Sequence, residues 1–424
     1  MLDLKWMREN LDVVRDGARR KRIDCDVDRC VALDDERKTL EGVRGDARAE
    51  QNRIGKEIAK LSGDEKQQAI ASQGELKQKI KDAEKRLQEV EEELHQQMSR
   101  IPMPPGDEVP DGVDDTENVE LSTWGEIPKF DFEPKDHVTL GLDLGIMDFQ
   151  HASKLAGSQT YILRGAGALL EIAVLRLALD TVMKSGFEPM IVPTLVKYEP
   201  LYGTAYFPGG EEQAYKCEKD ELYLTGTSEV PVTAFHSGEI LEESELPKLY
   251  SGYSTCYRRE AGAAGRDTKG LYRIHQFNKV EQVVICRNDP EESLRHHKFI
   301  LDTAKSILEV MEIPYRVVNV CTGDLGMGQI QKFDIESWMP SRGGYGETHS
   351  ASRFHDFQSR RLNMRYRDAD GKVRFCHTLN NTAIATPRVL ISIIENNQQA
   401  DGSVRIPEVL VPYMNGLEVI EASR

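Results

Sequence analysis

Residues 255–282 bring together side chains whose chemistry suits a nucleotide. Apolar and polar residues roughly alternate at both ends of this stretch, which predicts two antiparallel strands joined by a long loop. The reactive side chains cluster where the strands meet the loop: Arg258, Arg259, Glu260, Arg273, His275, Phe277 and Glu281. A guanidinium can grip phosphate oxygens, a flat ring can stack on a base, and a carboxylate can accept from an amino group. The alternative is an ordinary hairpin whose charged loop is solvated.

The letters of this hairpin, RREAGAAGRDTKGLYRIHQF followed by KVE, resemble motif 2 of the class II aminoacyl-tRNA synthetases in the form used by seryl-tRNA synthetases. The resemblance implies that Arg258 grips the α-phosphate of ATP together with the serine carboxylate. It also implies that Glu260 accepts from the adenine amino group and that Phe277 stacks on the ring. Arg259 and Ile274 complete this part of the expected ATP site.

The resemblance assigns the rest of the hairpin to other ligands. Glu281 is expected to face serine. The connection between the strands is Gly-rich and basic, and it is too long for a simple turn, which is typical of functional loops. The resemblance implies that Arg266, Lys269 and Arg273 in this region contact the 3′ end of tRNA.

A second motif, TGTSEVPV at residues 225–232, follows a short predicted strand at residues 221–224. It resembles the Thr-x-Glu loop of seryl-tRNA synthetases, which implies that Thr227, Ser228 and Glu229 hold the amino end of serine. An ammonium group needs oxygen acceptors and a carboxylate nearby, so the residue types fit. On the residues alone, an ordinary surface turn remains open.

A third motif, YGETHSAS at residues 345–352, resembles the Glu-x-x-Ser run that precedes a strand in the family. The resemblance implies that Glu347 and Ser350 supply two hard oxygens to a Mg²⁺ ion that bridges the ATP phosphates. Thr348 and His349 are expected to lie in the same ATP site. His349 is expected to be a neighbour of the ion rather than a ligand, because hard cations prefer oxygen.

A fourth motif, HTLNNTAIATPRVLISIIE at residues 377–395, predicts a strand, a small-residue turn and an apolar helix with a buried face at Val389, Leu390, Ile393 and Ile394. It resembles motif 3 of the class II synthetases, which implies that Arg388 binds the γ-phosphate and the second face of adenine. Thr382 is expected at the turn, where it would recognise the serine hydroxyl. A surface Arg with a snorkelling side chain is the alternative for Arg388.

These motifs lie in a region, from about residue 130 onward, where strand-like runs alternate with amphipathic helices. By resemblance the catalytic domain is an antiparallel β-sheet flanked by helices, giving an α+β class; no GxGxxG or P-loop sequence occurs. Residues 165–183 predict a long helix, followed by a strand and Pro193. This pair resembles motif 1, which implies a homodimer. The apolar helix face is expected at Leu169, Ile172, Leu175 and Leu179.

The N-terminal part of the chain has a different pattern. The sequence of residues 1–24 predicts one short amphipathic helix, and residues 28–101 carry apolar residues at heptad spacing on either side of a break at residues 62–74. This pattern predicts an antiparallel coiled-coil hairpin, which by resemblance is the tRNA-binding arm; a dimerising coiled coil or a spacer remains open. We expect an arm at 1–101, a Pro-, Gly- and Asp-rich linker at 102–121 and a catalytic domain at 122–424.

Composition limits the possible environments. The formal net charge is −16, and residues 1–100 hold 22 Lys/Arg against 23 Asp/Glu, so any RNA contact must use local basic segments. No apolar run approaches the roughly 20 residues that cross a bilayer, which predicts no membrane partner. The seven cysteines contain no CxxC pair, and the start of the chain lacks a signal-peptide pattern. A cytoplasmic location is therefore expected.

Together the resemblances imply an ATP-dependent ligase that activates L-serine as the adenylate and transfers it to tRNA(Ser), with Mg²⁺ as cofactor. Whether tRNA(Sec) is also a substrate stays open. Two alternatives remain: a synthetase-like ligase that loads an amino acid onto a carrier protein, and a non-catalytic paralogue that binds RNA. The first would lack the arm, and the second would be expected to lose Arg258, Glu260, Glu281 or Arg388.

Overall fold

A computed structural model describes residues 1–262 and 269–421. The chain separates into two compact units, Met1–Pro102 and Met103–Arg424. Within the described ranges, no helix is long and apolar enough to cross a membrane. Arg266, which we predicted to contact tRNA, lies outside the described residues.

The first unit is helical throughout and contains α1 (Leu4–Glu9), α2 (Leu11–Arg20), α3 (Val27–Glu57) and α4 (Gly63–Met98). The single helix expected near the start of the chain is wrong, because the chain leaves helical geometry at Asn10 and starts again as α2. Each short helix still buries an apolar residue, since Met7 in α1 and Val14 in α2 are fully buried.

The two long helices α3 and α4 form the predicted antiparallel hairpin. Ion pairs join Arg29 to Glu93 and Glu36 to Arg86, so position increases along α3 as it decreases along α4 and the two helices are antiparallel. The apolar seam of α4 is buried at Ile80, Ala83, Leu87, Val90 and Leu94. At about 1.5 Å per residue, the 36 residues of α4 extend roughly 54 Å.

The expected break at residues 62–74 of this hairpin is wrong. Only residues 58–62 interrupt the two helices, and α4 begins at Gly63. Asp64 and Glu65 occupy its first turn, where carboxylates favour a helix N-terminus, and the Gln and Ala residues that follow are compatible with a helix.

The second unit contains eight helices and eighteen strands in its described residues. The helices are α5 (His137–Asp143), α6 (Phe149–Ala156), α7 (Ala166–Lys184), α8 (Tyr198–Gly203), α9 (Glu229–Thr233), α10 (Pro290–Val310), α11 (Phe357–Leu362) and α12 (Arg388–Asn396). The strands are β1 (Val119–Trp124), β2 (Met147–Asp148), β3 (Ile162–Leu163), β4 (Glu188–Ile191), β5 (Leu195–Val196), β6 (Tyr215–Cys217), β7 (Leu222–Leu224), β8 (Ile240–Glu242), β9 (Lys248–Tyr257), β10 (Gln276–Cys286), β11 (Tyr315–Asn319), β12 (Gln331–Met339), β13 (Gly344–His355), β14 (Arg365–Arg367), β15 (Val373–Phe375), β16 (His377–Ala385), β17 (Val404–Arg405) and β18 (Val419–Ile420).

The main sheet has the strand order β1-β11-β12-β13-β16-β10-β9-β4. Every neighbouring pair is antiparallel except β4 and β9, which are parallel. Helices α7, α10 and α12 pack on this sheet around one large apolar core. The expected antiparallel sheet flanked by helices is therefore confirmed, and it sets β9, β10, β16 and β13 side by side.

The Pro-rich segment after the hairpin is packed against the second unit. The backbone N–H of Met103 donates to Met327 (3.0 Å), and that of Gly106 donates to Ile330 (2.9 Å). The last residues of the expected linker already belong to β1, which pairs with β11. These backbone hydrogen bonds show that the segment is part of the second unit. This unit therefore begins at Met103, before the predicted domain start at residue 122.

Helix α7 matches the predicted position, but its buried face differs from the predicted one. Of the apolar face predicted at Leu169, Ile172, Leu175 and Leu179, Leu175 is buried, whereas Leu169 and Ile172 are 36% and 61% exposed. The other buried apolar residues lie mostly on a neighbouring stripe: Leu170, Ala173, Val174, Leu177, Ala178 and Val182. This helix is apolar on more than one face, so its periodicity could not indicate which face meets the sheet.

Candidate active site

Three of the four predicted motifs contribute lining residues to one cleft above the centre of the main sheet. The cleft contains about 540 Å³ of free space that is partly open to solvent. Its lining residues are Arg258, Glu260, Leu271, Tyr272, Arg273, Ile274, Phe277, Lys279, Glu347, Thr348, His349, Ser350, Thr382, Ala385, Thr386, Pro387 and Arg388. Residues from β10, β13 and β16 thus meet the segment after β9 and the start of α12.

The hairpin predicted at residues 255–282 is confirmed as β9 and β10, paired antiparallel. Just beyond the strands, the backbone N–H of Arg258 donates to His275 (2.9 Å). The guanidinium carbon of Arg258 lies 5.2 Å from the centre of the Phe277 ring. Arg273 donates to the Glu260 carboxylate at 3.0 Å. A cation, an aromatic ring and a carboxylate are therefore held together at one end of the cleft.

Arg388 closes this end of the cleft from the first turn of α12, which confirms the predicted strand and the apolar helix after it. Its Nε donates to the Tyr272 carbonyl at 2.9 Å, and its Nη1 donates to the Glu347 carbonyl at 2.9 Å. Its guanidinium carbon lies 4.4 Å from the centre of the Tyr272 ring. These contacts hold the guanidinium in the cleft, unlike a snorkelling surface side chain.

A β-bulge in β13 aims Glu347 and Ser350 into the cleft. Two residues three apart would face opposite sides of a regular strand, but the register with β12 skips Thr348. Thr348 and His349 are both buried (4% and 1% exposed), and the Thr348 hydroxyl lies 2.8 Å from that of Ser337. The motif therefore lies inside the strand, which corrects the expectation that it precedes one.

The two oxygens offered by Glu347 and Ser350 are hard ligands that fit Mg²⁺. Arg388 and Lys332 hold the pKa of Glu347 below its ordinary value, so this half-exposed carboxylate is charged at neutral pH. In the described part of the chain, no group of three or more His, Cys, Asp or Glu side chains could hold a metal alone. Burial lowers the pKa of His349 to about 4, so its ring is neutral.

Asp334 is a buried carboxylate next to Ser350 that the sequence did not indicate. It is directly opposite Ser350 in the β12–β13 register and is only 4% exposed. Burial and the nearby Glu347 raise its pKa to about 7, although Lys332 opposes this shift from 3.4 Å away. Asp334 lies 16 residues before Ser350 in the chain, and only the pairing of β12 with β13 brings the two side chains together.

A buried cluster of charged and hydroxyl groups adjoins the cleft; Lys279 and Thr382 of this cluster line the cleft, whereas Glu281, Thr227 and Glu229 are not among its lining residues. The ammonium of Lys279 lies 2.5 Å from the Glu281 carboxylate and 2.5 Å from the Thr227 hydroxyl. Thr382 donates to Glu281 at 3.4 Å. The sequence analysis did not predict Lys279 as a site residue. Its position two residues from both Phe277 and Glu281 places it on the same face of β10 as those two side chains, and this spacing could have indicated it. Thr382 lies within β16 and not at a turn, which corrects that expectation.

Glu229 completes this cluster from the first turn of α9. It is 8% exposed and accepts a hydrogen bond from Gln358 at 2.8 Å. Burial and the neighbouring Glu281 raise its pKa to about 7. Arg258 connects the cleft to this cluster, since its Nε lies 3.4 Å from the Gly226 carbonyl, just before the Thr-x-Glu loop.

Three predicted site residues point elsewhere. The side chain of Arg259 is exposed and is absent from the lining of the cleft, and the Ser228 hydroxyl donates to the Gly252 carbonyl at 3.1 Å. Lys269 forms an ion pair with Asp136. Arg273, predicted for tRNA, is instead engaged with Glu260 in the cleft.

Comparisons with known protein families agree with this arrangement. The family model described as "Seryl-tRNA synthetase N-terminal domain" matches residues 1–105. The model described as "tRNA synthetase class II core domain (G, H, P, S and T)" matches residues 215–397, which contain nearly all of the cleft.

Similar proteins cover the whole chain. A serine–tRNA ligase of Deinococcus radiodurans is 45% identical over 420 residues, covering 99% of each chain. The crystal structure of a seryl-tRNA synthetase from Pyrococcus horikoshii complexed with ATP has a TM-score of 0.94 and 39% identity, and covers 100% of both chains. A cytoplasmic serine–tRNA ligase from Naegleria fowleri in complex with AMP has a TM-score of 0.89 and 31% identity, covering 100% of this chain and 99% of that one. By these matches in sequence and fold, the chain belongs to the seryl-tRNA synthetase family of class II aminoacyl-tRNA synthetases.

Proposed function

We propose that the chain is an ATP-dependent serine–tRNA ligase that forms seryl-adenylate and transfers serine to the 3′ end of tRNA(Ser). The observation that carries this proposal is that one cleft brings together Arg258, Glu260, Phe277 and Arg388 with Lys279. Lys279 in turn contacts Thr227 and Glu281 in the adjoining buried polar cluster. Relatives solved with ATP and with AMP support nucleotide binding.

The first reaction joins the serine carboxylate to the α-phosphate of ATP. No general base is required, because a carboxylate is already ionised at neutral pH. The work of the protein is therefore positioning and charge stabilisation. Arg258 lies where the cleft adjoins the polar cluster, and one guanidinium there can contact both the α-phosphate and the carboxylate. Phe277 and Arg388 would hold the two faces of adenine, and Glu260 would accept from its amino group.

Magnesium is proposed to bind at Glu347 and Ser350, the two hard oxygens that the bulge aims into the cleft. A bound Mg²⁺ would neutralise charge on the phosphates. Thr348 and His349 support this site from the buried side of β13, while Arg388 holds Glu347 through two hydrogen bonds.

Serine is proposed to bind at the buried polar cluster beside the cleft. Glu229 would receive the ammonium group, and Glu281 with Thr382 would face the hydroxyl. Thr227 is held in place by its bond to Lys279. A site built to bond a hydroxyl leaves its own polar groups unpaired when alanine binds, which gives strong discrimination.

Transfer to tRNA is proposed to use the loop between β9 and β10 and the helical hairpin of the first unit. Arg266 and Lys269 would contact the acceptor end, with Arg273 at the boundary between the nucleotide and the RNA. Residues 28–101 would bind tRNA mainly by its shape, as is usual for structured RNA. The matched N-terminal domain family argues against a carrier-protein ligase, which would lack this arm.

A homodimer is proposed from an exposed apolar surface around α7 and β4. Ile191 is 90% exposed and Ile172 is 61% exposed, and further apolar side chains in this part of the unit are exposed too: Leu169, Leu195 and Tyr253. Large exposed apolar residues grouped in this way mark interaction sites. The seven free cysteines are consistent with the proposed cytoplasmic location.

The proposal is tested by ATP–pyrophosphate exchange with the purified chain. Serine should drive exchange, whereas threonine, alanine and glycine should drive it far less efficiently in terms of kcat/KM. Exchange driven equally well by alanine, or no exchange with any amino acid, would contradict the assignment of the polar cluster to serine.

A further inference from the structure

Gln358 lies behind the proposed ammonium acceptor and is fully buried in α11. Its Nε2 donates to Glu229 at 2.8 Å and to the Thr204 carbonyl at 3.3 Å, while its Oε1 accepts from the Thr378 hydroxyl at 2.6 Å. We propose that Gln358 is a positioning residue that fixes the carboxylate of Glu229 for the serine ammonium, with Thr378 fixing Gln358 in turn. This inference rests on the proposed function.

The hydrogen-bond chemistry allows one orientation of the Gln358 amide. A backbone carbonyl accepts only, and so does an ionised carboxylate, so the NH₂ group must face Thr204 and Glu229. The amide oxygen is then left for the one partner that can donate, the hydroxyl of Thr378. All the polar atoms of Gln358 are therefore satisfied, and one oxygen of Glu229 is occupied from behind while the other stays available to a ligand.

Such a support matters because the surroundings of Glu229 disfavour a negative charge. Burial and Glu281 raise its pKa to about 7, and the hydrogen bond from Gln358 lowers it. The charged and titratable groups that act on Glu229 from the neighbouring elements are Glu281, Lys279, Arg258 and Tyr206. Without the N–H of Gln358, the carboxylate would be less often ionised at neutral pH and free to rotate.

The test compares Gln358→Met with a matched control, Gln398→Met. Gln398 is also buried (6% exposed), and its side chain also makes three hydrogen bonds, but these lie with Lys135 and Glu395 outside the cleft lining. In serine-dependent pyrophosphate exchange, Gln358→Met should raise the KM for serine by about tenfold or more, because a hydrogen bond to a charged group is lost. The KM for ATP should stay within about twofold, and Gln398→Met should change neither KM.

The pH profile separates positioning from a general structural effect. In the wild type, the KM for serine should rise as the pH falls through about 7, because protonated Glu229 no longer attracts an ammonium. Gln358→Met should move that midpoint to higher pH, because the group that favours the carboxylate is gone. Thr378→Val, which removes only the hydroxyl, should change both readouts in the same direction by less, and it serves as the test if Gln358→Met does not fold.

The inference would be overturned if the folded variants kept the wild-type KM for serine and the wild-type midpoint of its pH dependence. Equal rises in the KM for serine and the KM for ATP would overturn it as well. If the wild type itself shows no serine-dependent exchange, the proposed function fails first, and that outcome is distinct from a failure of the Gln358 assignment.

Discussion

Replacing Lys279 by Met should strongly destabilise the second unit, because it leaves buried carboxylates without their cation. The side chains of Lys279 and Glu281 are only 6% and 2% exposed, and their charged atoms lie 2.5 Å apart. Glu229 adds a second acidic group that acts on the same site. Removing one partner of a buried pair costs about 3–5 kcal/mol, because the remaining charge keeps its desolvation penalty. The ratio of unfolded to folded protein should therefore rise by a factor of roughly 10² to several times 10³.

The loss of stability should depend on pH in a defined direction. Burial already raises the pKa of Glu281 above its ordinary value of 4.5, and Lys279 counteracts that effect, so removing the lysine raises the folded-state pKa further. A group whose pKa is higher in the folded state favours folding at low pH and loses that contribution as the pH rises through its folded pKa. Lys279→Met should thus be least harmful near pH 4.5 and increasingly harmful toward neutral pH.

Urea unfolding, followed by tryptophan fluorescence at several pH values, measures both effects. The matched control is Lys248→Met on β9, which breaks a more exposed pair with Glu245 (3.1 Å) and should cost less than about 1 kcal/mol. The double variant Lys279→Met with Glu281→Gln should recover part of the loss, because the carboxylate nearest to the lost ammonium is then neutral. A Lys279→Met protein as stable as Lys248→Met, or a loss that does not change with pH, would refute the reasoning.

Three further predictions concern catalysis and assembly. Arg258→Ala should lower the kcat of serine-dependent pyrophosphate exchange by roughly 10² or more, since it removes charge stabilisation at the reacting phosphate; near-normal exchange would exclude this role. Deleting residues 28–101 should spare adenylate formation but abolish tRNA charging, and efficient charging by the truncated protein would show that the arm is dispensable. Ile191→Glu, at a position 90% exposed in the single chain, should shift the mass measured by light scattering from dimer to monomer without unfolding the chain; an unchanged dimer would place the interface elsewhere.

The sequence predicted the elements whose signals are local. The alternation of residues at both ends of the β9–β10 hairpin and the apolar helix after Pro387 each lie within one segment, and both were found where expected. The long helices of the first unit were likewise clear from their heptad spacing. The position of the break between them was predicted wrongly. A polar stretch that contains Gly can form a loop or the start of a helix, and here Asp64 and Glu65 favour the start of α4.

The features that the sequence did not predict depend on contacts between distant segments. The bulge at Thr348 exists only relative to β12, so the side of β13 that Glu347 and Ser350 share could not be inferred from a single strand. Asp334 lies next to Ser350 through the same pairing. Gln358 reaches Glu229 across 129 residues of chain, and no local pattern relates the two.

Direct charging with serine tests the central claim most closely. The full-length chain, given ATP, Mg²⁺, labelled serine and tRNA(Ser), should produce base-labile seryl-tRNA, with none formed when ATP is omitted or when tRNA(Ser) is replaced by a tRNA of another specificity. Adenylate formation without any transfer to tRNA(Ser), or transfer of serine to a carrier protein in its place, would contradict the account.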